Sequence, residues 1–240
     1  MRFTLFILAV VMLTLSGLAA HIFFGEKGAD PERVEMLTHL KKIESGVEAS
    51  KSGHPNDQFR LARLYRYGPE KTRNYRNALR LFRKAAEQGH VRAQYELGSM
   101  YAVGQGTSQR FHRAAEWYLL SANLGGDRDA QFHLGDLYFK GRGVAHSYGT
   151  AISWYRKAAR QRHPVAQFLL GVMYMEGWGV DKGLVEAYKW VLLAEPQARK
   201  VRAHDTKLNP ELVRQRLEQE MNRSQKAAGT KAAKNWKPGR

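Results

Sequence analysis

The chain has 240 residues, with 39 lysines and arginines against 22 aspartates and glutamates, a formal charge of +17, and no cysteine. The missing cysteine excludes disulfides, thiolate catalysis, cysteine-bound metal and a lipid-modified N-terminal cysteine. The basic excess points to nucleic acid, anionic lipid or another acidic surface as a partner. It is concentrated in residues 57–92, with ten basic residues against three acids, and in residues 197–240, with twelve against four.

Residues 3–24 contain one ionisable side chain, His21. At 1.5 Å per residue such a helix reaches roughly 33 Å, enough to cross a bilayer core. Two readings fit: an uncleaved membrane anchor, or a signal peptide cut near Leu18-Ala19-Ala20. Leu18 at the −3 position and the apolar Ile22-Phe23-Phe24 beyond the cut favour the anchor. Arg2 on the short amino side then places the rest of the chain across a bacterial inner membrane, facing the periplasm. Residues 25–56 read as a linker and a capping helix, started by Asp30 as N-cap and Pro31 at the first helical position.

Residues 57–196 repeat one phrase four times, over 57–92, 93–129, 130–165 and 166–196. Leu61, Leu97, Leu134 and Leu170 are separated by 36, 37 and 36 residues, and the same steps relate Tyr65, Tyr101, Tyr138 and Tyr174. A period held across independent columns marks an array of supersecondary units. Each copy carries two segments with apolar residues at helical spacing, separated in the last three copies by a Gly-x-Gly turn led by Gly104, Gly141 or Gly177. The predicted unit is a pair of antiparallel helices that buries its apolar stripes only by stacking on its neighbours. Gly98, Gly135 and Gly171 interrupt the first helix of three copies, each costing about 1 kcal/mol relative to Ala. Such a cost at one register predicts a partner helix too close for a larger side chain. The fold class is therefore all-α, an α/α solenoid.

The pattern AQxxLGxxYxxGxGV followed by AxxWYxxAAxxGH resembles the Sel1-like repeat, a relative of the tetratricopeptide repeat. The resemblance covers Asp57 to about Glu195, with Pro69-Glu70 replacing the Gly-x-Gly turn and Arg162 standing at a loop glycine position. It implies a scaffold for protein–protein interaction. Some cysteine-rich relatives bind or hydrolyse β-lactams, but this chain has neither their cysteines nor an SxxK motif.

Residues 197–222 read as a connector and a closing helix begun by Asn209-Pro210, and residues 223–240 as a basic disordered tail. No His pair has metal-ligand spacing with a carboxylate, so no enzyme, metal, cofactor or small-molecule substrate is expected. Candidate recognition residues are the polar positions of the first helices, Gln94, Tyr95, Glu96, Gln131, His133 and Gln167. Trp178 joins them as a turn aromatic without counterparts, although the glutamine column also fits a structural role. Arg60, Arg63, Arg66, Arg73, Arg76, Arg80 and Arg83 form an arginine-dense first copy. They read either as a solvated face or as a docking surface for anionic lipid, polymer or an acidic partner.

Overall fold

The computed structural model describes residues 30–239. The apolar run at residues 3–24, with its anchor and signal readings, lies outside them; among the described residues no helix is long and apolar enough to cross a membrane. Helix α1 (Pro31–Ser50) is followed by four helix pairs: α2 (Pro55–Tyr67) with α3 (Tyr75–Glu87), α4 (Val91–Val103) with α5 (Phe111–Leu124), α6 (Arg128–Lys140) with α7 (Tyr148–Arg160), and α8 (Pro164–Glu176) with α9 (Leu184–Ala194). No strand occurs among the described residues. Successive helices pack on one another throughout, so the pairs stack as a solenoid.

Each first helix starts two residues before the repeat boundary expected at 57, 93, 130 or 166, at Pro55, Val91, Arg128 and Pro164. The cause is the N-cap. His54, His90 and His163 each accept a hydrogen bond at Nδ1 from an amide of the first turn, 3.2 Å from Asn56 and 3.1 Å from Ala93 and Ala166. In the third pair Asp127 takes this role, accepting from Asp129 and Ala130. At the other end, Gly104, Gly141 and Gly177 adopt left-handed φ values of 76°, 63° and 76° and close the helices. The second glycine of each turn carries a further constraint. A Cβ at Gly106, Gly143 or Gly179 would run into the first backbone turn of the preceding pair's second helix.

The glycines inside the first helices mark the closest helix contacts. A Cβ built at Gly98 or Gly135 would lie 2.8 Å from the ring of Tyr118 or Tyr155, and one at Gly171 would lie 2.8 Å from Val191. Opposite them the second helices present Ala114, Ala151 and Ala187, all fully buried. Small residues on both sides let the backbones approach, while Leu61, Leu97, Leu134 and Leu170 fill the space beside them. Each such leucine contributes about 1.5–3 kcal/mol of burial. The tyrosine column has a backbone role: the carbonyls of Tyr65, Tyr101, Tyr138 and Tyr174 accept amide hydrogen bonds of 2.9–3.0 Å from the residues that start the second helices.

Helix α1 occupies the place of a second helix in a pair without its first. Ile43 packs against the core of the first pairs, Gly46 lies against Leu61, and the His39 Nε2 donates to the Leu64 carbonyl.

The carboxyl-terminal end corrects one expectation. After a 3-10 turn at Glu195–Gln197 come α10 (Ala198–His204), α11 (Pro210–Glu220) and α12 (Arg223–Asn235), and α12 falls in the stretch expected to be disordered. Asn222 starts it with a reciprocal capping box to Gln225. Gly229 lets α12 approach α9 closely, with Tyr188 and the Val185 carbonyl where a side chain would be. Trp236 then meets Trp190 edge-on at 5.9 Å, and the Gly239 amide donates to the Arg160 carbonyl. A segment of Lys, Ala and Gly has little apolar surface of its own; here the aromatic surface comes from the fourth pair, and the small residues permit close contact with it.

Candidate protein-binding surface

Neighbouring first helices share one face, joined across the repeats by side chains. Its most buried ion pair joins Arg66 on α2 to Glu96 on α4, both side chains 7% exposed. Arg66 also donates to Gln105 at 3.0 Å and to the Ser99 hydroxyl at 2.9 Å, and the Tyr67 hydroxyl donates to Glu96 at 2.7 Å. Burial, reinforced by that hydrogen bond, pushes the Tyr67 phenol up to about 12. Farther along, Tyr95 and Tyr118 lie 5.9 and 5.4 Å from the His133 ring, and Phe132 stacks on His163 at 4.4 Å. Burial lowers both His133 and His163 to about 4.

This arrangement corrects several sequence candidates. Gln94, Gln131 and Gln167 are buried, and each reaches back to a carbonyl of the preceding second helix, that of Ala86, Ala122 or Ala159. They hold the stack together because the helix ends behind them leave carbonyls without helical partners. Glu96 is consumed by Arg66. Tyr95 and His133 are largely covered by neighbouring rings. Trp178 is exposed, stacked on Tyr148 at 5.8 Å and beside Phe139 at 5.7 Å.

The seven arginines of the first pair do not form one patch. Arg66 is internal. Arg73 donates to the Gly68 carbonyl and Arg83 to the Tyr101 hydroxyl, while Arg76 and Arg80 are exposed on α3. Arg60 and Arg63 remain on the first-helix face, and Arg63 lies over the rings of Phe59 and Tyr67 at 6.0 and 5.9 Å. There the face opens into two adjoining clefts between α1 and α2, of ≈ 650 and ≈ 410 Å³, which share Lys42, Arg60 and Leu64. Lys41, Lys42, Arg60 and Arg63 line them against one carboxylate, Asp57.

The opposite end of the face is occupied by the chain itself. Val201 of α10 is buried with Phe168 and Ala194, and Leu208 and Val213 pack on the same cluster as Leu169 and Val172. His204 reaches back to Phe132, edge-on at 5.2 Å. The register positions of Arg60 and Arg63 are thus apolar in the fourth pair, as Leu169 and Val172, because the connector covers them. Sequence reading missed this cover; the only signal for it was that polarity was lost at those two columns. No group of side chains suited to holding a metal occurs among the described residues.

Comparisons with known proteins agree with this architecture. The Sel1 repeat profile matches residues 55–90, 91–126, 128–163 and 164–194. A protective antigen of uropathogenic Escherichia coli strains displaying an SLR fold is 31% identical with a TM-score of 0.68. The match covers 81% of this chain and 40% of the antigen, so the chain spans about two-fifths of that relative's length. A Sel1 repeat protein from Oxalobacter formigenes is 29% identical with a TM-score of 0.57, over 68% of this chain and 70% of that one. No curated protein gives a significant match. Four consecutive matches that follow the four observed helix pairs show that the chain belongs to the Sel1 repeat family.

Proposed function

We propose that this protein is an adaptor that holds a protein partner against its first-helix face and grips an acidic segment of it between α1 and α2. Sel1 repeats generally serve as scaffolds for protein–protein interaction. The observation that carries the finer reading is the asymmetry of the face: the fourth pair is covered by the protein's own connector, whereas the α1–α2 end is an open cleft with four cations and one carboxylate. Leu64 and the rings of Phe59 and Tyr67 offer apolar contact beside those cations. In this reading residues 3–24 tether the array to the bacterial envelope, and the protein performs no catalysis.

The test compares the immobilised full chain with an Arg60→Glu/Arg63→Glu variant in extract of the source cell at graded salt. A protein retained by the wild type and lost from a variant with unchanged circular dichroism supports the proposal; equal retention by both refutes it. The same cations give a second reading, electrostatic binding of anionic lipid or polymer, helped by the lysines of α12. Phosphatidylglycerol vesicles and heparin offered in place of the extract separate the two: direct binding that collapses steeply with salt marks the second reading, and a protein still retained as salt rises marks the first.

A further inference from the structure

The second helices repeat a polar register that the second pair abandons. In the first and third pairs this register reads Arg83, Lys84, Gln88 and Arg156, Lys157, Gln161; in the second it reads Leu119, Leu120, Leu124. The polar residues there hold the stack together. Arg83 donates to the Tyr101 hydroxyl at 2.7 Å and Arg156 to that of Tyr174 at 3.0 Å. Gln88 donates to Gln58 at 3.0 Å and Gln161 to Gln131 at 2.9 Å. The second pair forgoes both bonds. Leu119 has no donor to offer Tyr138, and Leu124 has none to offer Gln94, whose Oε1 is buried without a hydrogen-bond partner. In exchange three leucines stand in solvent, 40%, 40% and 74% exposed. A local rule broken at a cost, with apolar surface left in solvent, marks a surface shaped by something outside the chain.

The fourth pair shows what such leucines take. Its register residues are Leu192 and Leu193, and the protein's own carboxyl-terminal segments close over them. Leu192 packs on the cluster holding Leu217 and Met221, and Leu193 on the cluster that includes Trp190 and Trp236. From this we infer that Leu119, Leu120 and Leu124 form a docking site for an amphipathic helix of a partner protein whose apolar stripe is bordered by carboxylates. The charge comes from the register itself: Lys84 and Lys157 hold the Leu120 position one repeat to either side. A second copy of this chain would set those same lysines against each other, so a two-fold dimer through this face is disfavoured. The site lies on α5, the second helix of the second pair, and is separate from the α1–α2 cleft.

The test measures fluorescence anisotropy of an 18-residue labelled helix with leucines at i, i+3, i+4 and i+7 and flanking glutamates, and of the same peptide with lysines in place of the glutamates. The full chain should bind the glutamate peptide at least tenfold more tightly than the lysine one. Leu119→Arg/Leu120→Lys/Leu124→Gln, which writes the first pair's residues into the second, should lose that binding tenfold or more. The variant should also gain melting temperature as Tyr138 and Gln94 recover partners, so loss of binding is not loss of fold. Arg60→Glu/Arg63→Glu should bind as the wild type does, which keeps this result independent of the cleft. Equal binding by the leucine variant, equal affinity for both peptides, or a dimer in light scattering that the leucine variant dissolves would each overturn the inference.

Discussion

Replacing Glu96 with alanine tests the buried ion pair, the most charged contact inside the array. The change leaves the Arg66 guanidinium between α2 and α4 with only neutral acceptors, the Gln105 amide at 3.0 Å, the Ser99 hydroxyl at 2.9 Å and the residue 96 carbonyl at 3.3 Å. Stranding one member of a buried pair costs about 3–5 kcal/mol, and the three neutral acceptors put this case near the lower end, about 3 kcal/mol. Because a solenoid is stabilised by nearest-neighbour interfaces, the loss should fall on the junction of the first and second pairs. Urea unfolding followed by circular dichroism reads the total. Hydrogen exchange should show α1–α3 opening first while α6–α9 keep their protection. An Arg66→Met/Glu96→Leu double variant should recover most or all of the stability, since an apolar pair avoids desolvating two charges. A loss below about 1 kcal/mol for Glu96→Ala, or a double variant as unstable as the single one, would refute the reasoning.

Three further outcomes follow from the packing. His133 and His163 titrate near 4 in the folded protein against about 6.5 when unfolded. The unfolded chain therefore binds more protons between those values, and stability is complete above about pH 6.5 and lost as pH falls towards 4. His163→Asn keeps an N-cap acceptor without this titration, so its urea midpoint should fall less between pH 6.5 and 4.5 than that of the wild type; parallel slopes would exclude His163 as a contributor. Gly135→Ala gains about 1 kcal/mol of helix propensity, but its Cβ meets the Tyr155 ring at 2.8 Å and the Ala151 carbonyl at 3.3 Å. Overpacking of about 1–3 kcal/mol should leave a lower melting temperature, whereas a higher one would mean the helices yield. Gly229→Leu should undock α12 from Tyr188, exposing Trp236 to acrylamide quenching and raising hydrogen exchange across 223–235 while the first three pairs keep their protection.

The architecture could be read from the chain because it is written in local, repeated terms. The leucine and tyrosine columns, the Gly-x-Gly turns and the interruptions at Gly98, Gly135 and Gly171 recur at a fixed step, and stacking is the one way a short helix pair buries its stripe. Histidines precede three of the four first helices, His54, His90 and His163, yet their role as N-caps emerged only once Nδ1 was seen to face the amides of the first turn. Contacts between residues far apart in the chain were a different matter. Arg66 counted as a surface cation until Glu96, thirty residues away, was found opposite it. Gln94, Gln131 and Gln167 fitted either recognition or a structural role, and the carbonyls behind them decided for the second.

The carboxyl-terminal segment makes the same point from composition. Arg223 to Asn235 lacks the apolar residues to order itself, and its helix exists because Tyr188 and Trp190 of the fourth pair supply the surface it lacks. Periodicity reports what each helix needs to bury, and it fixed the number and kind of pairs here. The distribution of charge depended on which side chains face each other across repeats, since the energy of a polar group is set by the partner opposite it and not by its neighbours in sequence.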